Sequence, residues 1–489
     1  METNLDYPIF RTQYPEFIYR EARLQETEDE AVFTYAFEIP GLSAFAPVWR
    51  FPKAVKDRGK ILGLEHDPLL KEMVFSLGMV ELVSYWKITC SPKVQIEAGR
   101  LTKEQISWWK RLYFHGLGEF FYVNRIHEAD MDNFMEIDCA AGADDGEAGE
   151  GKAAAFGAGR KIVEAQAADG AGVLVPIGGG KDSAVTLELM KKAGADIWAY
   201  IINSRGATMH TAEAAGLGQE KMILVHRSLD ARMLELNRKG FLNGHTPFSA
   251  IVAFSSLIAA RLYGLPYIAL SNESSANEST VLGSTVNHQY SKSFRFEKDF
   301  HDYTMKFLPG SGYYFSLLRP LSEFQIAGYF AGLKAYHPVF RSCNVGSKKD
   351  EWCGHCPKCL FVYVILSPFL STEELENIFG KNMLEDKSMQ PVLDQLVGLE
   401  EEKPFECVGS RKEINAALVL AIRRLKQEGR PLPKLLVHYQ STPAYQEAVG
   451  HEEEYFSYFD EEHLLPAPWA ELVRRECTKK TVTEMGEYR

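Results

Sequence analysis

The middle of the chain alternates short apolar runs with stretches of helical periodicity. VLVPI (173–177), DIWAYIINS, KMILVHRSL and LPYIALS (265–271) have the compact apolar character of buried strands. AVTLELMKKAG and residues 246–263 have the apolar spacing of helices between them. Because parallel strands need crossover connections, this alternation predicts an α/β fold with a parallel sheet and helices on both faces. Ligands of such sheets bind at the carboxyl ends of the strands.

The flanking regions have other patterns, and we expect four segments. Residues 1–138 mix aromatic runs with amphipathic stretches, which predicts an N-terminal α+β domain on the substrate side. Residues 139–159 are rich in Gly and Ala and acidic in the middle, as in a linker or surface loop. Residues 160–370 carry the alternating pattern. Residues 371–489 are mostly helical, with a capped helix start at Ser371.

The charge balance and the longest apolar run limit the possible partners. Of 489 residues, 54 are Lys or Arg and 66 are Asp or Glu, a net charge of −12. No overall positive field would attract nucleic acid or an anionic membrane surface. The longest apolar run, 246–260, is shorter than the roughly 20 residues of a spanning helix and predicts a buried helix. Because the first residues do not follow an export-signal pattern, we expect a cytoplasmic protein.

A glycine-rich turn, PIGGGKDSAVT, lies between the first strand and helix of this region. Glycines let the backbone approach an anion, and the helix that follows offers free amides and its positive dipole end. The spacing fits neither G-x-x-x-x-G-K-[ST] nor G-x-G-x-x-G. It resembles the S-G-G-x-D-S loop of PP-loop ATP pyrophosphatases, with Gly178 in place of the leading serine. The alternative is a structural turn in which Asp182 is the helix N-cap.

This resemblance implies an adenine nucleotide alpha hydrolase-like sheet that binds ATP and cleaves it to AMP and pyrophosphate. Asp182 would help to position Mg²⁺, and Lys181 could replace the missing serine hydroxyl as a point charge. The residues expected to bind the nucleotide are Gly178, Gly179, Gly180, Lys181, Asp182, Ser183 and Asn272.

Four of the eight cysteines are crowded into C-x9-C-x2-C-x2-C: Cys343, Cys353, Cys356 and Cys359. Four thiolates suit a tetrahedral Zn²⁺ and leave no position open for a substrate, so we expect a structural zinc site. An iron–sulfur cluster uses the same ligands and is the main alternative. A similar group follows the nucleotide domain of 7-cyano-7-deazaguanine synthases. The other cysteines, at positions 90, 139, 407 and 477, are scattered and interpreted as uninvolved.

The polar segment 270–300 follows a predicted strand, where loops often carry function. For each of its side chains, a turn, cap or solvated role is the alternative. Arg319, in YFSLLRPLSE, could face a phosphate or solvent, and the Trp49 region could bind uridine or a sugar or form an aromatic core corner. The candidates in and near the segment are His245, Asn272, Glu273, Asn277, His288, Gln289, Ser291 and Lys292.

The combination resembles one PP-loop branch, the UDP-N-acetylmuramoyl-L-alanyl-L-glutamate epimerase (MurL) family. The likeness spans roughly residues 173–410. It is carried by LNGHTPFSAI, SNESSAN, VNHQYSKSFRFE, YFSLLRPLSE, YHPVFRSCN, WCGHCPKCLFVYVILSPFL and KPFECVG. This resemblance implies an ATP-dependent inversion of the terminal L-Glu of UDP-N-acetylmuramoyl-L-Ala-L-Glu through an acyl adenylate. His288, Lys292 and Glu273 are the candidates for moving the α proton.

Three other functions remain open at this point. A ligase or amidating enzyme similar to 7-cyano-7-deazaguanine synthase would also adenylate a carboxylate but would need ammonia. A tRNA-modifying PP-loop enzyme is disfavoured by the net charge, because binding several phosphates needs clustered Lys and Arg. A nucleotide sensor would bind ATP without releasing pyrophosphate.

Overall fold

The computed structural model describes residue 4 and residues 6–139, 170–281 and 287–478. Eleven strands of these residues, many of them rich in β-branched and aromatic side chains, form one sheet. They are β1 (Glu16–Glu26), β2 (Glu30–Ile39), β3 (Ser43–Phe45), β4 (Val48–Pro52), β5 (Lys93–Ile96), β6 (Glu136–Cys139), β7 (Gly172–Pro176), β8 (Asp196–Ile202), β9 (Met222–Ser228), β10 (Tyr267–Leu270) and β11 (Tyr313–Ser316).

The sheet is mixed. Its strand order is β11-β10-β7-β8-β9-β4-β2-β1-β5-β6, with β3 paired to β2. Strands β7 to β11 are all parallel to their neighbours within this group. Strand β4 is antiparallel to β9 and to β2, and β2 is antiparallel to β1. The predicted α/β class is therefore confirmed, and the parallel strands are one part of a larger mixed sheet.

The apolar runs of the alternating region form the strands that the sequence predicts. VLVPI becomes β7, and the next two runs become β8 and β9, each within two residues of the expected bounds. The apolar run that begins near residue 246 is the predicted buried helix and spans Phe248–Tyr263. In the described residues, no helix is both long and apolar enough to cross a membrane.

Helices surround the sheet. They range in length from six to 19 residues. They are α1 (Asp6–Gln13), α2 (Pro68–Trp86), α3 (Lys103–Gly116), α4 (Gly118–Val123), α5 (Lys181–Lys192), α6 (Gly206–Ala214), α7 (Ala231–Arg238), α8 (Phe248–Tyr263), α9 (Phe294–Phe307), α10 (Glu323–Ala331), α11 (Pro357–Leu366), α12 (Thr372–Phe379), α13 (Gln390–Val397), α14 (Arg411–Gln427), α15 (Lys434–Gln440), α16 (Pro443–Ala448) and α17 (Ala467–Cys477).

The parallel strands are covered on both faces. In β7, Val173 and Val175 belong to one apolar cluster, together with side chains of α5, α10, α11 and α14. Leu174 points to the other face and belongs to a second cluster with side chains of α2, α8 and α9. Successive strand residues alternate between faces, so one apolar strand contributes to both cores.

The N-terminal strands extend the parallel sheet through the pair β4 and β9. Next to this joint, Arg227 of β9 forms a buried ion pair with Glu81 of α2, at 2.7 Å. Trp49 of β4 is fully buried and stacks near Phe51, so the aromatic core interpretation of this region is correct and the uridine-binding one is wrong for Trp49. Arg50 is exposed and pairs with Glu30.

The C-terminal part is helical in the described residues up to position 478. The predicted cap is present, since the Ser371 side chain accepts a hydrogen bond from the amide of Glu374 at the start of α12. The predicted linker, residues 139–159, lies outside the described residues except for Cys139, which ends β6.

Candidate active site

The glycine-rich turn connects β7 to α5 at the carboxyl edge of the parallel strands. Gly179 has a φ of +83°, and a Cβ there would lie 2.9 Å from the Cβ of Ala207, so only glycine fits. Gly180 is the N-cap of α5 and offers no side chain. Asp182 lies inside the first turn, so the alternative in which it is the N-cap is wrong. The first amides of a twelve-residue helix therefore point out of the loop.

Lys181 does not extend toward the open side of the loop. Its side chain is 2% exposed, and its ammonium group pairs with the carboxylates of Asp182 and Glu323. Burial opposes its charge, but these two carboxylates raise the pKa of Lys181 above its usual range. In this structure the ammonium group is thus paired with the two acidic side chains next to the loop.

Three carboxylates form a cluster beside the loop. Oxygen atoms of Asp182, Glu273 and Glu323 lie within 4.8 Å of one another, a set that could hold a metal ion. Burial raises the pKa of Glu323 to about 7, against the opposing effect of Lys181. Burial also raises the pKa of Glu273. Asp182 is different: burial disfavours its charge, but Lys181 and Lys358 lower its pKa. Carboxylate oxygens are ligands that Mg²⁺ prefers.

A cavity of about 490 Å³ lies elsewhere, among the C-terminal helices, but the cavity at the loop, of about 470 Å³, contains most of the predicted site. Its positive charges are Arg205, Lys292, Arg341 and Lys358. These cations give an acidic protein a local place for anions. Its wall includes the predicted residues Gly178, Gly180, Asp182, Ser183, His245, Asn272, His288, Gln289, Ser291 and Lys292.

A second cavity, of about 430 Å³, adjoins the first and shares Pro176, Gly178, Arg205 and Phe248 with it. Its other walls come from the ends of β8 and β9 and from α8, and they include Ile202 and Val252. The two cavities therefore meet at the glycine-rich loop and the start of α8.

Three predicted residues have hydrogen-bond partners within the protein, which limits their role. Asn272 donates to the Ser316 hydroxyl at 3.0 Å. Ser183 lines the cavity, and its hydroxyl donates to the carbonyl of Gly180 at 2.9 Å. Asn277 accepts a hydrogen bond from the amide of Phe294 and lines a different pocket, so the structure does not bring it to the loop.

Arg319 is fully buried, so it faces neither solvent nor a phosphate in this structure. It pairs with Glu297 at 2.9 Å and also donates to the carbonyls of Glu273 and Lys292. The same Glu297 accepts from the amide of Ser316 at 2.9 Å. Arg319 thus fixes the backbone of two predicted site residues.

His288 belongs to a group of titratable side chains on the cavity wall. Its Nδ1 contacts Glu119, which comes from the first turn of α4 and also lies 3.2 Å from His245. Burial disfavours the charged imidazole, but Cys407 and Glu119 raise the pKa of His288 to about 9. Burial and the neighbouring His288 lower the pKa of His245 to about 4. The two histidines therefore carry different charges at neutral pH.

Cys407 is a site residue that the sequence analysis missed. It lines the same cavity as His288 and Lys292, and although burial disfavours the thiolate, these two side chains lower the pKa of Cys407 to about 6. It was grouped with the scattered cysteines because it lies 48 residues beyond the last cysteine of the cluster. Its only signal was its position in KPFECVG, one of the runs that carry the family resemblance. Glu119 and Glu323 were missed too, since carboxylates are common everywhere in the chain.

The four clustered cysteines converge as predicted and could hold a metal ion. Three of their Sγ–Sγ distances are 3.4, 3.7 and 3.8 Å. A tetrahedral Zn²⁺ with Zn–S bonds of about 2.3 Å separates its sulfurs by about 3.8 Å. The Sγ of Cys343 also accepts a hydrogen bond from the amide of Gly346 at 3.2 Å. This geometry fits a single ion.

Comparison with known proteins identifies the family of the chain. Residues 9–317 match the MurL N-terminal domain, and residues 339–451 match the MurL C-terminal domain. The chain belongs to the MurL family. Three relatives are each named UDP-N-acetyl-alpha-D-muramoyl-L-alanyl-L-glutamate epimerase. No solved structure matches the chain.

The MurL relatives cover most of the chain. The protein of Xanthomonas oryzae pv. oryzae is 34% identical over 74% of this chain and 77% of its own length. That of Micromonospora sp. is 30% identical over 83% of this chain and 87% of its own. That of Salinispora tropica is 32% identical over 80% of this chain and 81% of its own.

Proposed function

We propose that this MurL protein is an ATP-dependent epimerase that inverts the terminal L-Glu of UDP-N-acetylmuramoyl-L-Ala-L-Glu to D-Glu, with release of AMP and pyrophosphate. The observation that carries the proposal is the shared cavity: the glycine-rich loop and the titratable group around His288 line the same 470 Å³ space. A phosphate-binding loop and proton-transfer groups are the two parts that this reaction needs. The product would be a peptidoglycan precursor.

Activation of the substrate by ATP explains why the phosphate-binding loop and the proton-transfer groups line one cavity. Removing the α proton of glutamate places negative charge next to an ionised carboxylate, which opposes it. Conversion of that carboxylate to an acyl adenylate removes the charge and supplies an electron sink for the α carbanion. Hydrolysis after inversion would release AMP. Because ATP and a UDP-linked precursor are cytoplasmic, we expect the protein in that compartment, without a nucleic-acid or membrane partner.

The loop and the two cavities suit the parts of ATP. The amides after Gly180 would bind the β and γ phosphates, and Arg205 and Arg341 lie on the same wall. The adjoining 430 Å³ cavity, with Ile202 and Val252, is large enough for the nucleoside. In this arrangement the α phosphate would lie near the shared residue Gly178, and the substrate carboxylate would approach it from the 470 Å³ side.

Mg²⁺ fits the carboxylate cluster of Asp182, Glu273 and Glu323. Bound there with ATP, it would neutralise phosphate charge. The Lys181 ammonium group now contacts two of these carboxylates, so we expect it to exchange partners when the metal and phosphates bind. Asp182 has a lowered pKa and would be ionised throughout the neutral range.

Zn²⁺ fits the four cysteines as a structural ion, since all four ligand positions would be filled by protein. The short sulfur separations favour one ion over an iron–sulfur cluster, in which the cysteines bind different iron atoms. Metal analysis of the purified full chain should find about one zinc and no acid-labile sulfide per chain. Labile sulfide would contradict the zinc assignment.

The three predicted proton-transfer residues are not equivalent. His288 and Lys292 both have raised pKa values in spite of burial, because anionic groups adjoin them, so each is poised to donate a proton. Glu273 lies in the carboxylate cluster, where it would be engaged with Mg²⁺. These three residues are therefore better suited to donate a proton than to abstract one.

The proposal can be tested with the purified full chain, Mg²⁺ and ATP. The substrates to compare are UDP-N-acetylmuramoyl-L-Ala-L-Glu, the same nucleotide ending at L-Ala, free L-glutamate and tRNA. Pyrophosphate release only with the dipeptide, together with D-Glu in the hydrolysed product, would support the proposal. Release with tRNA, or a requirement for ammonia, would contradict it in favour of a tRNA-modifying or amidating enzyme.

A further inference from the structure

Cys407 lies where the two proposed proton donors meet. It lines the 470 Å³ cavity together with His288 and Lys292. Its carbonyl accepts a hydrogen bond from Lys358, which lines the same cavity. Three cationic or protonatable side chains, His288, Lys292 and Lys358, therefore line the cavity together with Cys407.

This environment changes the state of the thiol. Burial disfavours the thiolate, but Lys292, His288 and Lys358 oppose that effect and lower the pKa of Cys407 to about 6. An ordinary cysteine has a pKa of about 8.5 and is mostly protonated at neutral pH. Cys407 is thus the anionic member of a thiolate–imidazolium–ammonium group, and it can accept a proton that His288 and Lys292 cannot.

A second side chain at the same wall points to a ligand independently of the sulfur. Gln289 is only 5% exposed and lines the cavity. Its Nε2 donates to the carbonyl of Val408, the residue after Cys407, at 3.2 Å. Its Oε1 has no hydrogen-bond partner among the described residues. A buried acceptor without a partner is costly, and the amide N–H of a dipeptide would satisfy it beside the sulfur.

We infer that Cys407 is the acid–base residue at one face of the substrate's α carbon, with His288 and Lys292 as positioning residues on the same cavity wall. This inference rests on the proposed function, because the α proton becomes acidic enough only after the carboxylate is activated. It adds a residue to the three candidates and assigns two of them to a supporting role.

The proton transfers balance as follows. The Cys407 thiolate takes the α proton, so the C–H bond breaks, an S–H bond forms and the electron pair moves toward the activated carbonyl oxygen. Water gives a proton to the opposite face of the α carbon, which completes the inversion and leaves hydroxide. The Cys407 thiol returns its proton to that hydroxide, which restores the thiolate and one water molecule.

The first test compares Cys407→Ser and Cys407→Ala with wild type and with Cys139→Ser. Cys139 is a matched control because it is a partly buried free cysteine outside the cavity. Exchange of the substrate α hydrogen in heavy water should fall by about 10²–10⁴-fold in both Cys407 variants, the range of general acid–base catalysis. Formation of the acyl adenylate, measured as the first turnover of pyrophosphate release, should persist. Cys139→Ser should behave as wild type.

Two results would separate this inference from the proposed function. Wild-type-like α-hydrogen exchange in Cys407→Ser would overturn the role of Cys407 and leave the ATP-dependent reaction intact. Absence of pyrophosphate release in wild type would overturn the ATP-dependent mechanism, and with it the premise on which the role of Cys407 rests.

A second measurement uses wild type, so it does not depend on the folding of a Cys407 variant. Peptide mapping after iodoacetamide treatment should show alkylation of Cys407 with a midpoint near pH 6, slowed by the dipeptide substrate. In His288→Gln the midpoint should move toward the ordinary value of about 8.5, whereas His210→Gln, at an exposed histidine, should leave it unchanged. An ordinary midpoint in wild type, or no shift in His288→Gln, would contradict the inference.

Discussion

Two parts of the same cavity wall are built in different ways. The loop part is backbone: glycines 178–180 and the first amides of α5 follow one another in the sequence. The other part consists of titratable side chains, His288, Lys292 and Cys407, and Glu119 contacts His288. These residues come from three distant segments of the chain. Backbone amides bind an anion at fixed positions and any pH, whereas the side chains set each other's protonation. Phosphate binding and proton transfer therefore have separate structural origins here.

Because of this difference, variants of the two parts should show different patterns of lost activity. A change in the loop should reduce pyrophosphate release and α-hydrogen exchange together, because exchange requires the activated carboxylate. A change among the titratable side chains should reduce exchange and spare the first turnover of pyrophosphate release. A loop variant that loses only exchange would break the comparison.

The largest effect is expected for Asp182→Ala. It removes the ionised member of the carboxylate cluster, and we expect about a 10³-fold loss of ATP-dependent pyrophosphate release, comparable to losing one preorganised electrostatic contact. Asp196→Ala is the matched control, because Asp196 is an exposed aspartate that pairs with Lys221 at the start of β8. Undiminished release by Asp182→Ala, measured at saturating ATP, would contradict its proposed role.

A smaller loss is expected for Gly179→Ala. The added Cβ would lie 2.9 Å from Ala207 and would also strain a φ of +83°, so the loop must shift. Gly170→Ala is a control for strain alone, since Gly170 has the same φ and no described atom within 4 Å of its Cβ position. We expect Gly179→Ala to lose activity by about 10–100-fold. Both variants should also lose about 1 kcal/mol of the free energy of unfolding, because each places alanine at a positive φ. Equal activity of the two variants would show that the close packing of Gly179 against Ala207 is unimportant for activity.

The smallest effect is a gain. Gly178→Ser restores the leading serine of the S-G-G-x-D-S pattern, and no described atom lies within 4 Å of the Cβ position. A hydroxyl that donates to a phosphate oxygen should lower the KM for ATP by about 3–10-fold, as one additional hydrogen bond of about 1 kcal/mol would. An unchanged or higher KM would indicate that the phosphates do not approach Gly178.

The sequence predicted the contiguous features and missed those that depend on folding. The β7 strand, the turn and the four cysteines could be recognised because their residues are neighbours in the chain. Cys407 could not, because its lowered pKa arises from Lys292 and His288, more than a hundred residues earlier.

Arg319 shows the opposite error. A solvent or phosphate role was reasonable for an arginine next to a proline, but Glu297 turns inward from α9 and pairs with it in the core. Burial of a charge requires such a partner, and no local pattern reveals where that partner is. The pairing of β4 with β9 also escaped prediction, because it joins residues about 180 positions apart.

The most direct test of the account is the ATP dependence of α-hydrogen exchange. UDP-N-acetylmuramoyl-L-Ala-L-Glu would be incubated with wild-type protein and Mg²⁺ in heavy water, with ATP or with a non-cleavable ATP analogue, and deuterium at the α carbon would be measured by mass spectrometry. The account predicts incorporation with ATP, accompanied by pyrophosphate, and none with the analogue. Incorporation at the same rate with the analogue would contradict activation of the carboxylate as the step that permits inversion.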